Sequence, residues 1–295
     1  MEEDFITVYK KVLLETFKNL IDFLNAEELE YYVCGGTAIG AVRHNGFIPW
    51  DDDVDIFMPR KDYEELKRKF HHSDDSNYEL LTPDNFESVI TYMKYVNKQT
   101  TFWEMKDIRY STGVFIDIFP LDFFDGDEND FIKEYNKIKR LRQLSLLSLT
   151  HFSLTTLLKS VGNGNKKQIG MSLFSLFIPH FVNDTIKRKI KEFDDKCCKK
   201  DNGKTIVSFY GSYGKKEYLK KEWFSNSVLQ DFSHLRVKLP VGYDDYLKQC
   251  YGDYMKLPPT EKRVYEHSHY YVNLNEHLTI PEAQKRVKEG FREDY

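Results

Sequence analysis

The sequence predicts an α/β (α+β) fold: a mixed β-sheet flanked by helices, followed by a helical insertion and a helical C-terminal part. Three observations support this prediction. The chain opens with an amphipathic helix, short strands alternate with helices up to residue 126, and the pattern turns helical from residue 127. With 295 residues, 41% of them hydrophobic, the chain can bury a sizeable core. We expect three parts, at residues 1–126, 127–204 and 205–295.

The elements of the first part follow from the spacing of its apolar residues. Helices, with apolar residues every three or four positions, are expected over residues 5–24, 37–44 and 60–70. Strands are expected over residues 31–34, 53–58, 88–97 and 113–122. Thr37 is the expected N-cap of the second helix, and Pro120 is expected to break the last strand. We expect the four strands to form one mixed sheet.

Two apolar stretches lie in the helical insertion, at residues 141–158 and 171–182, and Lys and Arg residues flank the pair. Polar residues interrupt both stretches, whereas a membrane span needs about 20 mostly apolar residues without breaks. Two interpretations of residues 141–182 stay open. They form either a buried helical hairpin or interfacial helices whose basic edges meet anionic lipid heads.

Composition limits the partners and the compartment. Lys and Arg number 43 against 47 Asp and Glu, so no basic field indicates a nucleic-acid partner. The cysteines show no CxxC spacing, which is typical of a reduced chain without structural zinc: Cys34, Cys197, Cys198 and Cys250. The acidic N-terminus lacks the pattern of a signal peptide. We therefore expect a cytoplasmic chain, either free or peripheral on the inner face of the plasma membrane.

An acidic cluster follows the second predicted helix. Asp53 and Asp55 project from one side of their predicted strand and Asp52 from the other. Carboxylates so close repel each other, and a hard divalent cation such as Mg²⁺ or Mn²⁺ relieves the repulsion. Asp117, enclosed by isoleucines in VFIDIFP, is a candidate third carboxylate. An EF-hand is excluded because Ile56 stands where its loop needs glycine.

A phosphate site is predicted beside this cluster. The turn Gly35-Gly36-Thr37 leads from a strand into a helix, whose N-terminal N–H groups can bind an anion. Arg43 and His44, about two helical turns later, can reach the same anion. A metal site and a phosphate site together indicate phosphoryl or nucleotidyl transfer, with two ions on the reacting oxygens. Asp53 and Asp55 alone are also compatible with the Asp-x-Asp metal site of a sugar-nucleotide glycosyltransferase. The glycine turn before them and the later strand with Asp117 favour a nucleotidyltransferase instead.

Three motifs resemble a known family. The order of a glycine pair, a short helix, Asp-x-Asp and a later Asp-bearing strand resembles the polymerase-beta-type nucleotidyltransferase superfamily. Within it, GGTAIGAVRHNGFIPWDDDVDIFMPR, GVFIDIFPLD and YGDYMKLPPTEKR resemble the LicD family. Bacterial phosphocholine transferases belong to that family, and the fukutin-related proteins are distantly similar to it. The first part, residues 1–126, is then a nucleotidyltransferase-like catalytic core, and residues 205–295 complete its active site.

The resemblance implies the reaction. A LicD-type enzyme transfers a phospho-alcohol, typically phosphocholine from CDP-choline, to a sugar hydroxyl of a cell-surface glycan or its lipid-linked precursor, and CMP leaves. Such glycans include teichoic acid and lipopolysaccharide. The donor alcohol is not fixed by the resemblance, since similar members use other CDP-alcohols. By motif, the catalytic and metal-binding carboxylates fall on Asp53, Asp55 and Asp117, and the phosphate turn on Gly35, Gly36 and Thr37.

Further residues have expected supporting roles. Asp117 is the candidate base for the acceptor hydroxyl, and Arg43 neutralises phosphate charge, with Lys262 and Arg263 as weaker candidates. Trp50 either contacts a trimethylammonium group, as Trp103 also could, or packs against the turn at residues 46–49. Carboxylates that support the metal ligands are Asp51 and, less favoured, Asp122.

Two other functions stay open. A nucleotidyltransferase would leave the nucleoside monophosphate itself on a small-molecule or sugar acceptor, so the mass of the product separates it from a phospho-alcohol transferase. A non-catalytic binder of glycans or lipid surfaces would have kept the fold without the reaction. The three carboxylates Asp53, Asp55 and Asp117 count against a binder, which has no need to hold repelling acids together.

Overall fold

A computed structural model describes residues 4–70, 76–85, 88–108, 110–150, 154–174, 182–265 and 269–294. Its helices are α1 (Phe5–Ala26), α2 (Gly35–His44), α3 (Arg60–Lys69), α4 (Glu128–Leu149), α5 (Leu154–Gly162), α6 (Lys166–Phe174), α7 (Val182–Cys197), α8 (Tyr243–Tyr251) and α9 (Ile280–Lys288). Its strands are β1 (Tyr32–Val33), β2 (Asp55–Pro59), β3 (Tyr78–Leu81), β4 (Met93–Asn97), β5 (Thr101–Trp103), β6 (Phe115–Phe124), β7 (Thr205–Val207), β8 (Tyr218–Leu219), β9 (Ser227–Phe232), β10 (Leu235–Pro240), β11 (Tyr271–Asn273) and β12 (Glu293–Asp294).

The central sheet is mixed, as the sequence predicts. Its strand order is β1-β2-β6-β4-β3, and β7 pairs with the far end of β6 and with β8. The pair β2–β6 is parallel, and the other pairs in this sheet are antiparallel. All four predicted strands belong to this sheet. It also contains β3, β7 and β8, which lie in segments whose pattern predicted no strand. The expected α/β fold is therefore confirmed.

Strand β6 runs straight through Pro120, so the expected break at this residue is wrong. On one edge of β6, β4 pairs with residues 115–118 and β7 with residues 122–124, which leaves Pro120 between two antiparallel partners. A proline is tolerated in a strand where its missing N–H has no ladder bond to make. The parallel register with β2 continues past it, with Met58 opposite Pro120.

Helix α1 covers the central sheet and confirms the first predicted helix. It buries one apolar face, including Leu13, Phe17, Leu20 and Leu24, in the main core together with strands β2, β4 and β6. Burying each such side chain contributes about 1.5–3 kcal/mol. The core therefore holds the strands of the central sheet in a fixed register.

The insertion is helical from residue 127, as predicted. Asp127 caps α4 by accepting the Asp130 N–H at 2.9 Å, and α4 packs against α7 around Phe131, Ile138 and Ile190. No helix among the described residues combines the length and the apolar character needed to span a bilayer.

The C-terminal third contains α8 and α9, but it also contains the hairpin β9–β10 and the strands β11 and β12. Strand β11 pairs with β5 in a separate small sheet. Hairpin strand β10 packs against β1 and β9 against α2. This part of the chain therefore contacts the first part directly at β1 and α2.

Candidate active site

Helix α2 begins at Gly35, two residues earlier than the sequence predicts. Gly35 has a φ of +57°, a backbone conformation that glycine adopts at low cost. Its N–H donates to the Tyr246 hydroxyl at 3.2 Å. The expected N-cap role of Thr37 is wrong because this residue already lies inside the helix. Its hydroxyl instead accepts the Asp55 backbone N–H at 2.9 Å, which ties α2 to β2.

The glycine pair lets two carboxylates approach the start of α2. A Cβ added at Gly36 would lie 2.3 Å from Asp51 Oδ2, and one at Gly35 would lie 3.2 Å from Asp55 Oδ2. Any larger residue at Gly36 would displace the Asp51 carboxylate. The positive end of the α2 dipole therefore faces acidic side chains. The predicted glycine motif and acidic cluster are thus one structural unit.

Three charged residues form a row across the central sheet. Asp55 on β2 is in register with Asp117 on β6, which is in register with Lys94 on β4. Residues in register on neighbouring strands project to the same face of a sheet. The Lys94 Nζ lies 2.7 Å from Asp117 Oδ1, and the Tyr92 hydroxyl donates to Asp117 Oδ2 at 3.4 Å. Both Asp117 oxygens are therefore held in place.

Lys94 did not emerge from the sequence as a site residue. The signal was a lone lysine in the otherwise apolar run TYMKYV, the same kind of signal that singled out Asp117 in VFIDIFP. Lys94 is 7% exposed, and its ammonium lies 3.3 Å from the centre of the Phe115 ring. A buried lysine needs a compensating charge, which Asp117 supplies.

Electrostatic repulsion is concentrated at Asp55. Burial raises the pKa of Asp55 well above its usual value, and the charges of Asp53, Asp117 and Asp51 raise it further, while Lys94 lowers it. Ionising this carboxyl is therefore unfavourable in the protein alone. A cation beside Asp53 and Asp55 would reverse the effect and favour the charged form.

The residues fit a hard divalent cation whose coordination a substrate completes. Asp51, Asp53 and Asp55 offer carboxylate oxygen atoms, the ligands that Mg²⁺ and Mn²⁺ prefer. Across the described ranges, no three His, Cys, Asp or Glu side chains converge to hold an ion by themselves. Mg²⁺ is usually held by one or two carboxylates plus substrate phosphates. Asp53 and Asp55 suit that role better than Asp117, which is paired with Lys94.

A cavity of about 490 Å³ opens above this unit, and we call it the acidic cavity. The first part of the chain lines it with Gly35, Gly36, Asp51, Asp53 and Asp55, whereas Asp52 is buried elsewhere. The C-terminal part closes the other side with residues that include Tyr213, Glu217, Tyr246, Tyr251, Asp253 and Lys256. Five carboxylates thus face two basic side chains, Arg43 and Lys256.

Arg43 and Trp50 line the acidic cavity, as expected of donor contacts. The Arg43 Nε donates to His44 Nε2 at 2.9 Å, and its Nη1 donates to the Tyr254 carbonyl. His44 packs edge-on against Trp50, with 6.2 Å between ring centres. Burial and the charge of nearby Arg263 lower the pKa of Arg43. These contacts place His44 behind the cavity wall rather than in it.

The remaining candidates, Arg263, Lys262 and Trp103, differ in their positions relative to the acidic cavity. The Arg263 guanidinium stacks over Trp50 at 5.4 Å from the ring centre, and its Nε donates to the Pro258 carbonyl at 2.8 Å. Lys262 is exposed and does not line the acidic cavity. Trp103 is buried in β5, where its indole donates to the Ile108 carbonyl at 2.7 Å. Of the two tryptophans considered for a cationic group, Trp50 alone lies at the cavity.

Asp122 belongs to a different charged unit. Arg60 donates to both of its carboxylate oxygens, at 2.6 and 3.0 Å, and also to Asp194 Oδ1 at 3.1 Å. Asp122 and Asp117 are five residues apart on β6, so they project from opposite faces of the strand. The expectation that Asp122 supports the metal ligands is therefore wrong, because its carboxylate binds Arg60 of α3, which also binds Asp194 of α7.

Glu217 is a cavity residue that the sequence did not indicate. It is 2% exposed, and its carboxylate accepts the Tyr213 N–H at 3.3 Å. Burial raises its pKa to about 7. In the sequence it stands among lysines in YGKKEYLKKE, a pattern typical of a solvated surface. Nothing in that pattern distinguishes it from an exposed glutamate.

The fold and the site define a class: a nucleotidyltransferase-fold phosphotransferase with carboxylates at a helix N-terminus. Comparison with known proteins agrees. Residues 28–154 match the family described as LicD/FKTN/FKRP, nucleotidyltransferase domain. The chain is 30% identical over 257 residues to the lipopolysaccharide cholinephosphotransferase LicD of Haemophilus influenzae, covering 84% of this chain and 92% of that protein. This chain belongs to the LicD family.

A more distant relative is the human ribitol 5-phosphate transferase FKRP. It is 27% identical over 112 residues, which cover 37% of this chain and 20% of that protein. The mouse protein of the same name matches to the same extent. The names of these relatives specify different phospho-alcohols, choline phosphate and ribitol 5-phosphate. The resemblance found in the sequence motifs is thereby confirmed.

Proposed function

We propose that this chain transfers a phospho-alcohol from a CDP-linked donor to a sugar hydroxyl of a cell-surface glycan or its lipid-linked precursor, and that CMP leaves. Phosphocholine is the first donor group to test. The observation that supports this most is the row Asp55–Asp117–Lys94 beside the N-terminus of α2. This arrangement places oxygen ligands for cations and a carboxylate that can accept a proton beside a helix N-terminus that can bind an anion.

The donor occupies the acidic cavity in this proposal. Backbone N–H groups in the first turn of α2 bind its phosphates, and Arg43 supplies positive charge from the cavity wall. Asp53 and Asp55 would hold two Mg²⁺ or Mn²⁺ ions, and such ions would supply positive charge to the oxygens that gain negative charge in the transfer. Trp50, one of several aromatic residues that line the acidic cavity, would contact the alcohol group through its ring.

The reaction exchanges one phosphorus–oxygen bond for another. The acceptor hydroxyl attacks the phosphorus that carries the alcohol, and the bond from that phosphorus to CMP breaks, with its electron pair leaving on CMP. Asp117 accepts the hydroxyl proton. Lys94 and Tyr92 orient the Asp117 carboxylate through their contacts with its two oxygens. Asp117 is thereby held in one orientation before the acceptor arrives.

We also propose that the chain is cytoplasmic and contacts the inner face of the plasma membrane through α5. Leu154, Leu158 and Val161 recur at helical spacing on α5 and are 59%, 61% and 57% exposed. Lys159 on α5 and Lys166 on α6 place positive charge in the same hairpin. An apolar stripe with basic neighbours suits an anionic lipid surface. A lipid-linked acceptor would be reached from such a position.

A thermal-shift experiment tests the donor. The chain is heated with Mg²⁺ and CDP-choline, CDP-ribitol, CDP-glycerol or CDP-ethanolamine, and nucleoside triphosphates serve as the comparison. A ligand at a hundred times its Kd adds about 2.7 kcal/mol to the free energy of unfolding. We expect a shift from at least one CDP-alcohol and from no triphosphate.

Two variants make the result specific. The Asp55→Asn variant should lose the magnesium-dependent part of the shift, because it removes a proposed metal ligand. The matched control is Asp245→Asn, the same exchange at an exposed position of α8. A shift from triphosphates alone would favour the nucleotidyltransferase alternative. No shift from any nucleotide would favour the non-catalytic binder.

A further inference from the structure

A second cavity lies beside Tyr92 and Lys94, the two residues that contact Asp117. It has a volume of about 380 Å³, and we call it the basic cavity. Tyr92 and Lys94 line it from the central sheet, and Lys139 and Arg142 line it from α4. Gly211 and Ser212 line both the basic and the acidic cavity. The two cavities therefore meet at residues 211–212.

The charge of the basic cavity is opposite to that of its neighbour. Lys94, Lys139 and Arg142 line it together with one carboxylate, Glu104. The ion pair with Asp117 balances Lys94. In the described part of the chain, Lys139 and Arg142 form no ion pair. Their positive charge is available to a ligand.

Arg142 is held in place by contacts that leave its charge uncompensated. Its Nε donates to Thr91 Oγ1 at 3.2 Å, and its Nη1 donates to the Tyr210 carbonyl at 2.9 Å. The guanidinium lies 5.1 Å from the Tyr92 ring centre and 5.4 Å from that of Tyr210. These partners are neutral. A guanidinium fixed by neutral groups at a cavity wall is suited to bind a phosphate.

The position of Tyr92 connects this cavity to the chemistry. Tyr92 lines the basic cavity, and its hydroxyl donates to Asp117 Oδ2. Lys94, which also lines the basic cavity, contacts the other oxygen of Asp117. A hydroxyl bound beside these two side chains would therefore lie near the carboxylate proposed as base. An in-line displacement requires the acceptor hydroxyl and the leaving CMP to lie on opposite sides of the phosphorus, and separate cavities for acceptor and donor would allow that arrangement.

We propose that the basic cavity is the acceptor subsite and that it recognises a phosphorylated sugar through Arg142 and Lys139. The inference rests on the proposed function for its catalytic meaning. Binding of the sugar phosphate itself needs neither a CDP-alcohol nor turnover. Its ligand class follows from the charge of the cavity, and its place in the reaction follows from the contact of Tyr92 with Asp117.

Calorimetric titration tests the proposal with glucose 6-phosphate, glucose and inorganic phosphate as probes. We expect glucose 6-phosphate to bind at least about tenfold more tightly than glucose, the effect of one charge-assisted hydrogen bond. Lys139→Ala and Arg142→Lys should each weaken glucose 6-phosphate about tenfold, because Lys139→Ala removes a charge and Arg142→Lys removes the planar fork. Arg140→Ala is the matched control, an exposed arginine on α4 that does not line the cavity.

Arg43→Ala distinguishes the two cavities, since the acidic cavity can also attract phosphate. The proposal requires that Arg43→Ala leave glucose 6-phosphate binding unchanged and that Lys139→Ala leave the CDP-alcohol thermal shift unchanged. Equal affinity for glucose and glucose 6-phosphate would overturn it. Loss of binding in Arg43→Ala with none in Lys139→Ala would also overturn it. Absence of any CDP-alcohol shift would count against the proposed function and leave this result standing.

Discussion

The acidic and the basic cavity differ in charge although they are neighbours. The acidic cavity is lined by five carboxylates, Asp51, Asp53, Asp55, Glu217 and Asp253, and by two basic side chains. The basic cavity is lined by three basic side chains and one carboxylate. A doubly charged pyrophosphate enters the first only with cations, whereas the second supplies its own positive charge. The difference in charge would therefore distinguish two anionic substrates. A pyrophosphate donor needs bound cations to enter the acidic cavity, and an anionic acceptor needs none in the basic cavity.

The two cavities also differ in how they are built. Helix α2 and the segment that leads into β2 form the acidic cavity, and Asp51 packs so closely on Gly36 that a side chain there would displace its carboxylate. Helix α4 of the insertion forms much of the basic cavity. The match to the family domain covers residues 28–154, which include α2, β2, β6 and α4. We infer that the acidic cavity is the less tolerant of substitution.

The largest expected effect comes from Asp55→Asn or Asp53→Asn. Turnover should fall about 10²- to 10³-fold or more, as when one group that stabilises the transition state is removed. The free energy of unfolding should not fall in Asp55→Asn, because the raised pKa of Asp55 shows that its charge is unfavourable in the folded chain without a cation. Activity and urea unfolding are measured on the same preparations.

Removal of metal should reproduce this effect reversibly. EDTA should abolish turnover, and added Mg²⁺ or Mn²⁺ should restore it. Asp245→Asn is again the control, since this exposed residue lies outside both cavities. Full activity in metal-free buffer would show that the carboxylates of the acidic cavity do not act through cations.

The next effect is on stability and concerns Glu217. Its pKa is about 7 in the folded chain against 4.5 in the reference state, so the folded chain binds the proton more tightly. The free energy of unfolding should therefore decrease as pH rises from 4.5 to 7, by about 3 kcal/mol from this group. Glu217→Gln keeps an oxygen to accept the Tyr213 N–H and should lack this decrease.

Thermal unfolding of both proteins across that pH range provides the measurement. The variant should gain on the parent chain steadily from pH 4.5 to 7. Glu222→Gln is the control, an exposed glutamate five residues further on. Parallel curves for Glu217→Gln and the parent chain would mean that ionising the Glu217 carboxyl does not lower the free energy of unfolding. The expected accumulation of unfavourable negative charge in the acidic cavity would then not include Glu217.

The smallest expected effect concerns α5. The chain should bind anionic liposomes weakly, more at low salt than at high salt, because basic residues flank the apolar stripe. Leu158→Glu should reduce binding severalfold. Leu229→Glu is the matched control, since Leu229 on β9 is 58% exposed against 61% for Leu158. No binding at low salt, in a chain that modifies soluble sugar acceptors, would return residues 141–182 to the buried-hairpin interpretation.

Sequence patterns predicted the parts of the molecule that depend on local periodicity. The spacing of apolar residues predicted helix α1, the helical insertion and the strands that carry Asp55 and Asp117. The two strands lie in one sheet, as predicted. The glycine pair was predicted to lie beside the acidic cluster, and Gly36 indeed contacts Asp51. These features are encoded within a few residues of each other.

The features that sequence patterns missed depend on distant partners. Pro120 stays in a strand because β4 and β7 pair on either side of it, and Thr37 is used by Asp55 rather than by its own helix. Glu217 becomes a cavity residue only when the C-terminal part closes over α2. Such roles are set by tertiary contacts, which a single sequence does not display.

In the proposed reaction the phospho-alcohol is transferred to the acceptor and CMP is released. Two labels on one donor distinguish these two fates. CDP-choline labelled in both the choline and the cytidine is incubated with the chain, Mg²⁺ and a glycan acceptor. We expect choline label on the acceptor and an equal amount of cytidine label in free CMP. Cytidine label on the acceptor would instead identify a nucleotidyltransferase. If neither label were transferred from this or any other CDP-alcohol, the proposed reaction would be contradicted.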